Sequence, residues 1–552
     1  MKLRDDFSAY YAELLDGTYE CLDRIVLNAY FTLGITGGGM RTWWRHLHGS
    51  DANLSDGALR DMAGTFARRL RAYCAKHQIP FLETKAGERK HQLAENHLPK
   101  DPAFKGLFLV LTAKAPAPVW QVHRNAAGKI AQISRPDQWP HVKHYYFHII
   151  DPRWGHLTIR MSGHPPFGAQ IILNGHEWVE RSAQHHHWTV TKEANCFVEG
   201  SDFERVHTLT TALQQPQLQA RLQDVCRRWI DSSCLCFALT LEEQKRSRFE
   251  YTFSCFQLEL SRNFLFHRPA DLDEVYQKLL ARTRQSLDVK QLQTIFGFTH
   301  RPHLTSKRRR TWPEISKELK TPHYDLTVFK VRWGSVLLKI YDKGQRVLRV
   351  EVTVQHAGQL GCGKLLPNLP AILKRMRQIL VDFLAAVQAA HVSFLDRSAF
   401  EQWTQPTQRG ARRLAGIDLN KARNRYVIDA VLGLATQPDG FTIGQLAQAV
   451  RERTGWTLKH YPPRKAAYDL AKLQGKKLVL KVPRSHRYRC ESPGIRVMCG
   501  YLILRENVIK PLLAGILRPN GRPPKNIHPI DRHYVNLRVE LNETLRTIGF
   551  AA

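Results

Sequence analysis

The side chains best placed to do chemistry lie between residues 324 and 354. In VLRVEVTV (347–354), strand alternation sets Leu348, Val350, Val352 and Val354 on one face and Arg349, Glu351 and Thr353 on the other. The preceding strand brings Lys339 and Tyr341 toward that polar face, its turn adds Asp342 and Lys343, and Asp325 stands at the start of the first strand. Carboxylates beside a lysine and a tyrosine can hold a divalent cation and cleave a phosphodiester. Asp342 and Glu351 are the expected ligands, for Mg2+ or Mn2+. Tyr341 could instead be the nucleophile of a strand transfer. The plain alternative is a solvated sheet face crossed by ion pairs.

Other clusters are less specific. Six histidines (141, 144, 148, 156, 164, 176) accompany Asp151 and Glu177, a donor set suited to zinc or manganese or, equally, to stacking on bases. Cys226, Cys234, Cys236 and Cys255 match no metal spacing, so buried thiols are expected. Glu88 and Lys90 in GERKH (87–91) could act in catalysis or be solvated at a helix start. His185–His187 reads as an exposed run. No GxSxG, P-loop or dinucleotide fingerprint occurs, which argues against hydrolase, NTPase and dehydrogenase classes.

Charge points to a polyanionic partner. The 552 residues hold 82 Lys+Arg against 49 Asp+Glu, a net +33. Residues 401–530 alone hold 24 against 8, and Lys307, Arg308, Arg309 and Arg310 form a second knot. No apolar run is long enough to cross a bilayer, and the start lacks a signal-peptide pattern. A cytoplasmic, nucleoid-associated protein with reduced thiols and a nucleic-acid partner is expected, not a membrane protein.

The elements that must position these groups suggest an α+β, multidomain chain: a mixed helical and antiparallel-sheet body with a C-terminal winged-helix (helix-turn-helix) domain. Residues 8–30 and 57–77 read as amphipathic helices, Gly37–Gly39 as a hinge or tight turn, and 107–113 as a strand. Residues 141–162 read as a hairpin, 169–184 as helical, 216–242 and 273–294 as helices, and 249–266 as ambiguous. A three-stranded meander (324–354) and a long helix follow. The units are 1–130, 131–215, 216–404, a basic linker 405–417 carrying Arg412 and Arg413, a winged helix 418–500, and a helical tail 501–552.

In the C-terminal unit, Asp418 or Asn420 would cap the first helix and Thr442 the second, and Pro462-Pro463 would open the third. Ala466, Leu470 and Leu473 would face its core, leaving Arg464, Lys465, Tyr468 and Lys472 outward for a major groove. Arg484, His486 and Arg487 on the hairpin would reach phosphates. A winged helix used for protein contacts is the alternative.

LKIYDKGQRVLRVEV resembles the tyrosine–acid–lysine turn and Arg-x-Glu strand of plasmid rolling-circle replication initiators, over fewer than twenty residues. The His-hydrophobic-His strand of that class has no counterpart here, because His46-Leu47-His48 sits in a helical segment. GERKH, GHPPFGAQ (163–170), NGHEW (174–178), YDKG (341–344), GIDLNK (416–421) and AAYDL (466–470) resemble a widespread prokaryotic family to which no activity is assigned. Together these readings imply a mobile-element type of nucleic-acid processing protein that nicks or cleaves DNA with a metal. The rival is a non-catalytic RNA or DNA binder, either a ribonucleoprotein component or a transcriptional regulator.

Overall fold

The computed structural model describes residues 6–284, 327–391 and 403–504, apart from isolated positions within them, and scattered residues between 532 and 543. Asp325, the knot Lys307–Arg310 and nearly all of the expected tail lie outside the described residues.

The chain begins with helix α1 (Asp6–Tyr10) and a long strand, β1 (Leu15–Phe31). Helices α2 (Gly37–His48) and α3 (Asp56–Lys76), strand β2 (Phe81–Glu83), helix α4 (Lys90–Asn96) and strand β3 (Gly106–Pro116) follow. A hairpin of β4 (Gln121–Arg124) and β5 (Ile130–Ser134) precedes β6 (His141–Asp151), β7 (Gly155–Ser162) and β8 (Ala169–Asn174). Next come α5 (Gly175–His185), the short pair β9 (Lys192–Glu193) and β10 (Cys196–Phe197), and helices α6 (Phe203–Ala212), α7 (Gln217–Cys226) and α8 (Leu241–Ser247). The second long strand is β11 (Tyr251–Phe266), followed by α9 (Pro269–Arg284). Strands β12 (Thr327–Trp333), β13 (Val336–Lys343) and β14 (Val347–Val354) then form the meander, and α10 (Leu369–His391) the long helix.

Ten of these strands make one sheet, in the order β12-β13-β14-β11-β1-β8-β7-β6-β3-β2. All neighbours are antiparallel except β2 with β3. The architecture is thus mixed, with helices around one large sheet, consistent with α+β.

Residues 8–30 do not form the expected helix. Most of that stretch is β1, at the centre of the sheet and buried on both faces from Tyr19 to Asp23. A strand covered on both sides loses its two-residue alternation, and its apolar residues then match helical spacing by accident. The 169–184 reading is half right. β8 runs to Asn174 with Ala169, Ile171 and Leu173 buried, and only then does α5 begin. Gly37–Gly39 is the first turn of α2, capped by the Thr36 hydroxyl, which accepts from the Gly39 amide at 3.1 Å. The helix at 57–77, the hairpin at 141–162, the meander and the long helix form as expected.

Residues 405–417 are not an aperiodic linker, because β15 (Thr407–Arg409) and β16 (Arg412–Leu414) pair as a hairpin. Beyond it lie α11 (Ala422–Leu434), α12 (Ile443–Thr454), α13 (Pro463–Gly475), β17 (Val479–Lys481), β18 (Tyr488–Cys490) and α14 (Ser492–Leu504). Phe441 bridges to Tyr488, adding a rung beside the β17–β18 hairpin. Thr442 caps α12 in a reciprocal box with Gln445, whereas α11 starts after Lys421 without a side-chain cap. Ala466, Leu470 and Leu473 of α13 are buried, as their spacing requires. Helix α14 packs against both α10 and α11, joining this unit to the body.

The turn from β8 into α5 depends on Gly175. A Cβ there would lie 1.8 Å from the Leu22 carbonyl oxygen, so the helix could not start against β1. Gly175→Ala is expected to cost on the order of 3 kcal/mol, by overpacking against backbone. Gly38→Ala, with nothing within 4 Å of its Cβ, serves as control and should shift stability by under about 1 kcal/mol. Urea denaturation of both variants checks this, and equal midpoints would contradict it.

Candidate functional site: a buried polar seam across the central strands

Register brings the polar residues together. Tyr19, Asn263, Arg349 and Tyr341 stand opposite one another on β1, β11, β14 and β13, and Cys21, Ser261, Glu351 and Lys339 form the adjacent row. Directly opposed residues of antiparallel strands share a face, so all eight line one side of the sheet. Between Leu22 and Arg24 the β1–β11 register slips by one residue, and Asp23 is the extra one. A bulge of this kind re-aims a side chain. Here it puts the Asp23 carboxylate under the Ser261 hydroxyl, which donates to Oδ1 at 2.9 Å.

Asp23 is 2% exposed. Burial alone would raise its carboxyl, but the Arg349 guanidinium, His176 and the Ser261 hydroxyl together hold it below the usual carboxylate range. Arg349 does not close on it. Its Nε donates to Asn263 Oδ1 at 2.7 Å and its Nη2 to the Asn195 carbonyl, which leaves Nη1 3.6 Å from Asp23 Oδ2. His176, in the first turn of α5, is fully buried with Nδ1 3.0 Å from Asp23 Oδ1. That approach is poorly aligned for a hydrogen bond, and both His176 Nδ1 and Asp23 Oδ2 lack a hydrogen-bond partner. Burial lowers the His176 imidazole, with Arg349 and Lys343 adding to it against the pull of Asp23.

One strand further on, Glu351 accepts from three donors: Lys339 Nζ at 2.8 Å, the Tyr341 hydroxyl at 2.7 Å and the Thr353 hydroxyl at 2.8 Å. Burial and the Glu351 charge raise the Tyr341 phenol far above its ordinary value. Glu259, on β11, is also raised, by burial and then by Glu351. Lysine and tyrosine therefore both contact the carboxylate, with Lys339 and Tyr341 only partly buried.

Two parts of the expected site come apart. Strand β13 runs on through Lys343, so alternation continues across Asp342 instead of breaking at a turn. Asp342 lies opposite Leu348, which is itself opposite Phe264, and so sits on the other face of the sheet from Glu351. The two carboxylates do not share an ion site, and Glu351 is already occupied by three donors. Lys343 stays on the same face as Tyr341, close enough to lower both His176 and Cys196.

Asp23, Ser261 and Asn263 are absent from the sequence-based expectations, and His176 enters them only within the histidine set grouped with Asp151 and Glu177. Two signals were available: Glu20 and Asp23 as acids inside an apolar strand run, and NGHEW, whose Gly-His opens α5 against β1.

The remaining clusters separate. His148 and His156 touch at 3.1 Å, and burial drives His148 down to about 3 and His144 down to about 4. Asp151 anchors a turn, accepting from the Arg153 and Trp154 amides and from Arg228 and Trp229. Glu177 pairs with Lys192. Glu88 accepts from the Lys85 amide, and Lys90 lies over the Tyr146 ring. Among the described residues, the only group of three ligating side chains within 4.8 Å of one another is Cys21, Asp23 and His176.

On α13, Arg464, Lys465 and Tyr468 are exposed, and Lys472 Nζ sits 4.9 Å over the Tyr468 ring. Arg484 and His486 are exposed on the β17–β18 turn. Arg487 instead donates to the Gly440 carbonyl at 2.9 Å and props the hairpin. Arg413 is exposed on β16, beside Arg412 on the same strand. Asp469, on the buried side of α13, accepts from Arg423 and from the Tyr461 hydroxyl, tying α11 to α13.

Comparison with protein-family models, with curated proteins and with solved structures finds no match for this chain.

Two stability measurements test the seam and its surroundings. Arg349→Met removes the countercharge of a buried carboxylate and should cost about 3 kcal/mol, with partial recovery in Arg349→Met/Asp23→Asn. Additive losses in the double variant would contradict the coupling. The unfolded imidazole of His148 protonates near pH 6.5 and the folded one only near 3. Its contribution is complete above about pH 6.5 and is lost as pH falls toward 3. His148→Gln should lose less stability than wild type between pH 7 and pH 5, measured by urea midpoint.

Proposed function

We propose that this chain is a nucleic-acid-binding protein of the mobile-element type, and that residues 418–491 act as a winged helix on duplex. The observation that carries the reading is α13. Ala466, Leu470 and Leu473 fix one side of it in the core while Arg464, Lys465, Tyr468 and Lys472 face away, with Arg484 and His486 on the adjoining hairpin. A helix that offers cations and an aromatic ring beside a basic hairpin suits a groove flanked by phosphates. The net charge of +33 adds a long-range attraction.

A second reading, strand cleavage, is favoured by the contact of Tyr341 with Glu351. The Tyr341 oxygen would attack phosphorus, Glu351 would take its proton, and Lys339 would protonate the departing sugar oxygen. This route uses neither Asp342 nor a cation held between Asp342 and Glu351. A non-catalytic binder of DNA or RNA is what remains if cleavage fails.

Arg464→Ala/Lys465→Ala should weaken duplex binding and lower the slope of log K against log salt by about 2, at roughly 0.9 per phosphate contact. Fluorescence anisotropy between 50 and 200 mM salt measures it, and an unchanged slope removes the groove assignment. Tyr341→Phe should abolish strand cleavage and any covalent protein–DNA adduct while leaving duplex affinity intact. Cleavage that survives the substitution excludes Tyr341 as nucleophile.

A further inference from the structure

The hydrogen bonds around His176 do not close. The Tyr19 hydroxyl donates to Cys196 Sγ at 3.4 Å and accepts from the Phe197 amide at 2.9 Å. Its 3.4 Å contact with His176 Nε2 can run in either direction, according to which imidazole nitrogen carries the proton. His176 Nδ1 lies 3.0 Å from Asp23 Oδ1, with both residues buried and in an alignment too poor for a hydrogen bond. A cation held between them would satisfy both.

The protein's own cations do not fill that role. Arg349 is held off by Asn263 and by the Asn195 carbonyl, and its nearest nitrogen stays 3.6 Å from Asp23 Oδ2. Asp23 Oδ2 and His176 Nδ1 are both buried without a hydrogen-bond partner. A carboxylate with about four acceptor sites and one hydrogen bond is under-satisfied, and orphaned buried atoms of this kind call for an ion or water. The third member is Cys21, two residues before Asp23 on β1 and fully buried in the same cluster.

We propose that Cys21, Asp23 and His176 bind a zinc-class cation. Sulfur, nitrogen and oxygen donors within 4.8 Å of one another match the ligand set of a four-coordinate zinc site, with one position left for a further ligand. A thiolate and an imidazole select this class over Mg2+ or Mn2+. His176 ligates through Nδ1 while its Nε2–H is held by Tyr19, the outer hydrogen bond that orients metal-bound histidines. The ion would pin α5 to the bulge in β1, from which the seam continues to Arg349 and Glu351. The site is independent of nucleic-acid binding and stands or falls separately from it.

The test uses the full-length chain, freed of any affinity tag and dialysed without chelator. Elemental analysis should find about one zinc per chain. After zinc is stripped, titration with Co2+ should produce a thiolate-to-cobalt absorption band in the near ultraviolet. Cys21→Ser should abolish that band, and Cys74→Ser, which removes a buried thiol on α3, should retain it. Wild-type protein that holds no zinc and gives no cobalt band overturns the assignment, whether or not the variants fold. A band that persists in Cys21→Ser overturns it as well, because another thiol would then be the ligand.

Discussion

An ionised carboxylate sits at the centre of a ten-stranded sheet, and much of the structure answers it. Moving such a group out of water costs several kcal/mol even after relaxation, so Asp23 has to be met by donors and positive charge. Ser261 comes from β11, Arg349 from β14 and His176 from α5. Each partner constrains its element: the bulge fixes β1 against β11, the reach of Arg349 fixes β14, and the first turn of α5 must start hard against Leu22. A one-residue slip of the central strands would strand the charge away from these partners, so the arrangement opposes it.

The opposite face repeats the device with different partners. Glu20 is 3% exposed and accepts from Arg262 on β11 at 2.7 Å and from Arg377 on α10 at 2.8 Å. Neighbouring residues of one strand thus tie helices to both sides of the sheet, α5 through Asp23 and α10 through Glu20. Around them the packing is aromatic: Phe7 meets Phe264 at 4.9 Å, and Phe31 stacks on Phe249 at 4.1 Å. Strands β1 and β11, at 17 and 16 residues the longest described, carry both the polar seam and the aromatic layer. They serve as the spine on which the meander carrying Glu351, Tyr341 and Lys339 is hung.

The meander was legible because VLRVEVTV alternates and its turns carry glycine, and from that pattern the contact of Glu351 with Lys339 and Tyr341 could be read. The first helix of the reading was wrong for the same physical reason that β1 is central: burial on both faces erases alternation. Asp342 was misplaced because YDKG looks like a turn, whereas pairing with β14 carries the strand through Lys343. No local pattern could show that Asp23 is the extra residue of a bulge, because the slip exists only relative to β11, more than 230 residues later. In the C-terminal unit, capping residues and helix periodicity are local signals, and Thr442 and the buried face of α13 followed from them. The missed hairpin at 407–414 has three-residue strands, too short to leave a period.

The central functional claim is that α13 touches nucleic acid, and ultraviolet crosslinking tests it most directly. The full chain would be purified at moderate salt with its bound nucleic acid, irradiated, digested and read by mass spectrometry, with the co-purified strand sequenced alongside. Nucleotide adducts are expected on peptides spanning 463–475, with Tyr468 foremost. Abundant bound nucleic acid crosslinked elsewhere, with α13 unmodified, would contradict the groove assignment, and a chain free of nucleic acid at that salt would contradict binding itself.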